Sequence, residues 1–497
     1  MADAVQYRIM KEKATLYEYV YRHLAGDIER GTLRYGDKLP SMHDLCERYR
    51  VGIRTIRDVQ KALKAEGYIV VEERKRAVVV YRPPDGIDDR GIRSLLARRD
   101  AVSDCYRTLE LVMPSLFFLS ARSCSDEDLH GFARDAARVE SGQRAEDWRL
   151  SRSSAVLHGL LEKTGNPLFA SCYASLERMA RVPVIAEFDS PFSCRPVAEV
   201  DGGVLSWMLA SLELRDADEV QRRFGLMYRG AGACVDAYLD ELEAAYPPAA
   251  KEGESSSYAW NAKAGLEFVH GQIARRLVER ITRGEFADGQ MLPSIADLSA
   301  AYGVSHSTVQ KAYGMLNAIG IAQTVNGLGT RVHLGSASFP AHWLEDISFR
   351  RDVGTYVHAL QMLCAVLPPA LSATAPHIDA VADAVQRVLA GEEGDWAVSK
   401  SLLVGFIGCV EPVALRTILQ ELNDLLLWGR FFILFAASKA SADALLSLAH
   451  AAYGQACAGD AEGFSRSMTS YYRLMLQAVL AFLEKAGMME AELVLIP

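Results

Sequence analysis

Two stretches of the chain carry one pattern in one register, with no gap along their length. The first reads IERGTLRYGDKLPSMHDLCERYRVGIRTIRDVQKALKAEGYI from Ile28, and the second reads ITRGEFADGQMLPSIADLSAAYGVSHSTVQKAYGMLNAIGIA from Ile281. Pro40 and Pro293 hold the same place, 253 positions apart. A chain that repeats over this length builds one small unit twice, which argues for modules rather than a single large core.

The repeated positions spell out the unit. Val20, Leu24 and Ile28 recur every fourth residue, as do Ile273, Leu277 and Ile281, so each copy opens with an amphipathic helix. Gly31 or Gly284 stops it, and Gly36 or Gly289 gives a turn before a Leu-Pro-Ser that starts a second helix. That helix is short, carries Leu45 and Tyr49 or Leu298 and Tyr302, and ends at Val51-Gly52 or Val304-Ser305. A third helix follows at once, with Ile56, Val59 and Leu63, or Val309, Ala312 and Leu316, on its inward face. Its other face is polar: Arg54, Thr55, Arg57 and Lys61 in the first copy, and His306, Ser307, Gln310 and Lys311 in the second. After Gly67 or Gly320 comes a β-rich stretch, 68–80 or 321–334, long enough for a hairpin.

This arrangement resembles the winged helix-turn-helix of the GntR family of bacterial repressors. The likeness lies in the Gly-x-Leu/Phe-x-x-Gly-x-x-Leu-Pro-Ser entry, the Val-(Gly/Ser)-x-x-Thr-(Ile/Val) start of the third helix and the glycine that closes it, and it covers about 70 residues per copy. It implies that the third helix enters a DNA major groove and the hairpin a minor groove. The expected DNA contacts in copy one are Ser41, His43, Arg48, Arg54, Thr55, Arg57 and Lys61, with Arg74, Lys75 and Arg76 at the wing. In copy two they are Ser294, Ser305, His306, Thr308, Gln310 and Lys311, with Gly327 and Gly329 letting the wing backbone approach the duplex. The two heads are unequal. Copy one carries more charge, so it should supply more of the phosphate-dependent affinity; copy two should add base selection.

Charge distribution fits that reading. The chain is −9 overall, yet 11–82 holds 16 Lys or Arg against 11 Asp or Glu, and 263–331 holds seven against five. The acid is therefore concentrated elsewhere. No apolar run precedes the first module, which argues against a secretory leader, and the apolar stretch 422–437 is too short to span a bilayer and reads as a buried helix. Nine Cys without Cys-x-x-Cys spacing read as reduced core thiols, pointing to a cytoplasmic protein.

The remaining segments are also related to each other. Arg98-Arg99-Asp100 matches Arg350-Arg351-Asp352, Leu119-Ser120-Ala121 matches Leu371-Ser372-Ala373, and Asp147-Trp148 matches Asp395-Trp396. Both are rich in Ala, Leu, Arg and Glu at helical spacing, and six or seven helices are expected in each. The predicted fold is mainly α: winged modules at 10–82 and 262–335, with short β-hairpin wings, alternate with all-helical domains at 91–245 and 340–490. A polar linker at 246–261 joins the halves and is expected to be flexible.

The helical segments resemble, more faintly, the effector domain of the FadR-like branch of the family, through YRTLELVMPSLFFLSARSCSDEDL from Tyr106, LHGLLEKTGNPLFASCYASL from Leu157 and HAAYGQACAGDAEGFSRSMTSYY from His450. Many such domains hold a metal through an Asp and three His. This chain departs from that pattern. Ser154 stands four residues before His158 where the Asp is needed, Phe406 takes the place of His158 in the second half, and Tyr228 and Tyr471 or Tyr472 stand near the last ligand positions. No metal and no cofactor are expected. The resemblance leaves a candidate effector pocket at His158, Trp207, Tyr228, His450 and Tyr471, for a small molecule of the carboxylate or acyl-CoA class, although His158, His450 and Trp207 equally suit a packed interior.

Three functional classes follow. The first is a ligand-responsive transcriptional regulator, one chain acting as its own pseudo-dimer on two unequal half-sites of double-stranded DNA; a homodimer with four heads is the alternative assembly. The second is a constitutive or architectural DNA binder whose helical domains serve only assembly. The third, an enzyme, is disfavoured. A fused aminotransferase needs a contiguous α/β domain with a cofactor lysine, and no paired carboxylates, nucleophile elbow or phosphate loop is present.

Overall fold

The computed structural model describes residues 16–497 except 30–32, 34, 50, 73–74, 82–88, 142–145, 186, 192–195, 201, 248–257, 261, 263–268, 283, 319, 334–346, 391–396, 427–438 and 489–493. The fold is mainly α, with two small antiparallel strand pairs. The chain divides into two compact units: Ala14–Gly265 with Pro412–Ile418, and Leu266–Glu411 with Leu419–Pro497. Each contains one winged module followed in sequence by helices.

In the first unit, α1 (Leu16–Glu29), α2 (Met42–Tyr49) and α3 (Ile53–Ala65) pack around a shared core. Val20, Leu24, Ile28, Leu39, Leu45, Ile56, Val59 and Leu63 are buried in it, at the spacing the sequence sets. Gly36 and Gly67 adopt positive φ, where a Cβ would be strained. Strands β1 (Ile69–Val70) and β2 (Val78–Val79) close the module, Ile69 opposite Val79 and Val70 opposite Val78. Gly31, expected to stop α1, lies outside the described residues.

Among the described residues, the helices that follow are α4 (Asp89–Ala97), α5 (Arg99–Arg122), α6 (Asp126–Ser141), α7 (Glu146–Glu162), α8 (Pro167–Ala180), α9 (Val204–Glu213) and α10 (Ala217–Ala245). The long α5 is the spine, packed by α8 and α10, with Val102, Leu109, Val112, Met113, Leu116 and Phe117 fully or nearly buried. Arg98 ties the start of α5 to the end of α8, donating to the carbonyls of Met179 at 3.2 Å and Arg181 at 3.0 Å; its repeat Arg350 lies on the corresponding helix of the second half. A cation placed there meets the negative end of the α8 dipole.

The second unit repeats the plan. Its module comprises α11 (Val269–Thr282), α12 (Ile295–Tyr302), α13 (His306–Ala318) and strands β3 (Ala322–Val325) and β4 (Gly329–Val332). Next come α14 (Ile347–Thr374), α15 (Ile378–Leu389), α16 (Ala397–Cys409), α17 (Val413–Leu425), α18 (Lys439–Cys457) and α19 (Ala461–Lys485). Among the described residues one helical stretch, Val353–Leu389, is long and apolar enough to cross a membrane, and 72% of its apolar window is buried inside the fold. Most of the 422–437 stretch, and the pair Asp395-Trp396, lie outside the described residues.

Two expectations change. The linker at 246–261 is not free along its whole length. Tyr258, Trp260 and Ala262 are 4%, 5% and 3% exposed, because aromatic side chains in alternation give an extended strip a face to bury. Nor are all the cysteines reduced thiols, since Cys234 is disulfide-bonded. Cys46, Cys105, Cys124, Cys172, Cys364, Cys409 and Cys457 are free, and burial pushes the Cys105 and Cys364 thiols up to about 12, which keeps them protonated and unreactive.

Candidate nucleic-acid interface and helical-domain cluster

Both third helices bury one face and expose the other. On α3, Arg54, Arg57 and Lys61 are exposed and Thr55 is half-buried. On α13, His306, Gln310 and Lys311 are exposed and Thr308 is half-buried. In the 253-residue register, Ile53 corresponds to His306, Arg54 to Ser307, Arg57 to Gln310 and Asp58 to Lys311. The exposed Asp58 offsets part of the charge of α3, a feature the sequence pattern contains but which the count of basic residues hides. Tyr313 adds a tie peculiar to the second module: its buried hydroxyl donates to the Pro293 carbonyl, fixing α13 to the Leu-Pro-Ser turn.

Several expected contact residues already hold structural roles. Ser41 and Ser294 are the N-caps of α2 and α12. Asp44 N donates to Ser41 Oγ at 3.1 Å and Ser41 N to Asp44 Oδ2 at 3.0 Å; Asp297 N donates to Ser294 Oγ at 3.1 Å, and Ser294 N to Asp297 Oδ2 at 3.3 Å. These reciprocal caps satisfy donors at each helix start. The Ser41 hydrogen bonds, with Arg76 nearby, hold the Asp44 carboxyl below its usual range. Ser305 caps the start of α13, its Oγ accepting from Thr308 N at 3.2 Å and lying 2.8 Å from Thr308 Oγ1. His43 is exposed on α2. Arg48 lies on that helix but its side chain, like all of Arg74, lies outside the described residues.

The wings differ. In the first, the exposed cations are engaged with acids: Lys75 Nζ is 2.6 Å from Glu72, and Arg76 is 3.9 Å from Asp44. Such exposed pairs are weak and a phosphate could displace them. In the second, four-residue strands pair from Ala322 opposite Val332 to Val325 opposite Gly329. Gly327 and Gly329 sit at φ +79° and +117°, and Leu328 between them is 76% exposed. Thr324 Oγ1 accepts from Asn317 Nδ2 at 2.6 Å and lies 2.9 Å from Thr330 Oγ1, joining the wing to the end of α13.

In the first helical domain, α7 and α8 bring His158 Nε2 within 3.2 Å of Glu177 Oε2, with the imidazole 4.9 Å from the Tyr173 ring. Burial pushes the phenols of Tyr106, Tyr173 and Tyr228 up, and the Glu177 carboxylate adds to each shift. Trp207 is not part of this grouping: Arg222 and Arg223 stack on its ring at 5.8 and 5.2 Å. In the second domain the counterpart of His158, Phe406, is fully buried and packs on Phe464. Asp216 caps α10 and Asp460 caps α19, and counting from these caps makes Tyr472, rather than Tyr471, the positional equivalent of Tyr228. Both tyrosines are buried, whereas His450 is exposed on α18. Among the described residues no three His, Cys, Asp or Glu side chains converge as metal ligands do.

A three-helix unit with an exposed third helix, closed by a two-stranded antiparallel hairpin, is a winged helix-turn-helix, and both modules belong to that class. Residues 16–79 and 270–332 each match the model of the bacterial regulatory proteins of the gntR family, so the chain carries two winged modules of the gntR type in tandem. It is 26% identical over 165 residues to the HTH-type transcriptional repressor NanR of Enterobacter sp. (strain 638), a span of 32% of this chain and 63% of that protein. It is 39% identical over 68 residues to the mannosyl-D-glycerate transport/metabolism system repressor MngR of Escherichia coli (strain K12), 14% of this chain and 28% of that one. The chain thus spans less than two thirds of either relative. The solved structure of Streptococcus agalactiae GntR aligns with 42% of this chain and 99% of its own at 14% identity, with a TM-score of 0.18.

Proposed function

We propose that the chain is a transcriptional regulator that binds double-stranded DNA through both heads, as a single-chain pseudo-dimer, and responds to a small molecule held in its first helical domain. One observation carries this reading: two complete winged modules in one chain expose different residues at equivalent positions of their third helices. Two identical heads read a palindrome; two unequal heads suit unequal half-sites. Arg54, Arg57 and Lys61 supply charge to the first half-site, and His306, Gln310 and Lys311 supply hydrogen bonds to the second. The relatives whose names mark them as repressors support the assignment to regulation; the reading places that regulation in the cytoplasm, and no catalytic step is needed.

The polar cluster of His158, Glu177, Tyr173 and Tyr228 supports an effector site in the first helical domain, with carboxylates and acyl-CoA compounds as the first classes to try. The apolar packing of Phe406 on Phe464 supports the second reading for the other half, a domain that serves assembly only. Selection of duplexes from a random pool by the purified chain tests DNA binding. Thermal-shift measurement with carboxylates and acyl-CoA compounds separates a ligand-responsive protein, whose melting point rises on binding, from a constitutive one, whose melting point stays fixed throughout.

A further inference from the structure

We propose that Tyr258 and Trp260 set the half-site spacing the two heads accept, by gripping the chain on α8 just before the second head begins. The proposal rests on the two-headed reading above. Trp260 Nε1 donates to Ser171 Oγ at 3.2 Å, and the Tyr258 hydroxyl lies 2.5 Å from Ser175 Oγ, which itself donates to the Cys172 carbonyl at 2.8 Å. Ser171 and Ser175 stand one turn apart on the same face of α8. Both aromatic rings are buried, with the intervening Ala259 exposed, so the strip is held by packed area as well as by its two polar tips.

The grip acts on a firm element. Asn166 caps α8, accepting from Leu168 N, and Pro167 begins it; Arg98 binds its far end. From Tyr246 to Val269 the chain could otherwise span up to about 80 Å, whereas from Ala262 to Val269 it spans at most about 25 Å. Half-sites one DNA turn apart are centred about 34 Å from each other, so the shorter tether restricts how far the second head can range and the longer one does not. Tyr173 and Glu177, which meet His158, lie on this same helix. The grip therefore also joins the polar cluster to the chain that carries the second head.

The test uses the full chain and duplexes that the wild type selects from a random pool, remade with the separation between half-sites changed one base pair at a time. Tyr258→Ala with Trp260→Ala should keep binding at the best spacing and lose the penalty at other spacings, where the wild type falls by about tenfold or more once the sites are half a turn out of phase. Two insertions avoid any question of folding. Six Gly and Ser residues added after Gly265, beyond the grip, should broaden the accepted spacing, and the same six added after Gly253, ahead of it, should leave the wild-type profile unchanged. Equal broadening by both insertions, or a double variant with the wild-type profile, overturns the grip while leaving DNA binding intact. Failure of the wild type to enrich any duplex overturns the DNA-binding reading itself, and the grip with it.

Discussion

Where the first copy of the repeat has Arg54 and Arg57 the second has Ser307 and Gln310, and that difference sets the first expectation. An arginine can hold guanine through two parallel hydrogen bonds worth about 1–3 kcal/mol, and it neutralises phosphate besides. Arg54→Ala with Arg57→Ala should weaken duplex binding by a factor on the order of 100 and flatten its salt dependence, while His306→Ala with Gln310→Ala should cost about tenfold or less. Gel-shift titration at two salt concentrations measures both, and equal losses would contradict unequal heads. These residues are legible in the sequence because helical periodicity alone puts them outside. The Arg76–Asp44 and Lys75–Glu72 pairs differ in kind: the first joins residues 32 positions apart and exists only once the wing folds back. His358 gives a second expectation. Burial lowers its pKa to about 4, against about 6.5 in an unfolded chain. Below pH 6.5 the unfolded state takes up a proton that the folded state refuses, so stability is intact above that value and falls by up to about 1.4 kcal/mol per pH unit until pH reaches about 4. Melting curves of the wild type and His358→Leu from pH 7.5 to 4.5 should diverge in slope, the variant losing less; parallel curves would show that His358 titrates freely.

At the scale of elements, α16 crosses α15 backbone to backbone in the second helical domain. A Cβ added at Gly405 would lie 2.6 Å from Val385 N and 2.8 Å from its Cα. Backbone cannot step aside as a side chain end can, so Gly405→Ala should cost about 1–3 kcal/mol. Gly454→Ala on α18 has nothing within 4 Å and should be neutral or stabilise by up to about 1 kcal/mol, since alanine is the better helix former. Denaturant midpoints compare them directly, and a loss at Gly454 as large as at Gly405 would refute the close-crossing account. The helices themselves are readable from apolar spacing: Val20, Leu24 and Ile28, or Val309, Ala312 and Leu316, are buried as that spacing requires. The wing lengths are less so, because strand pairing depends on the turn, and only the second copy keeps the Gly327 and Gly329 pair. The strip at Tyr258 is not legible in the sequence, for a compositional reason. It follows Glu252-Gly253-Glu254-Ser255-Ser256-Ser257, and two aromatics at alternate positions are too short a signal to stand out from such polar surroundings.

At the scale of the whole chain, the proposed pseudo-dimer converts an association between molecules into one within a molecule. Two heads on separate chains must meet at their working concentration, whereas two heads on one chain face each other's half-site at an effective concentration on the order of millimolar. The balance depends on tether length, which the proposed grip of the buried Tyr258 and Trp260 would shorten. A full operator duplex should therefore bind one chain with an affinity about 100-fold or more above that for a duplex carrying either half-site alone. Sedimentation with a labelled duplex counts chains per DNA, and titration of the half-site duplexes supplies the affinity ratio. A fixed ratio of two chains per minimal duplex, with half-site and full-site affinities alike, would replace the pseudo-dimer by a dimer of four heads, in which the duplication serves avidity across two operators rather than completeness on one.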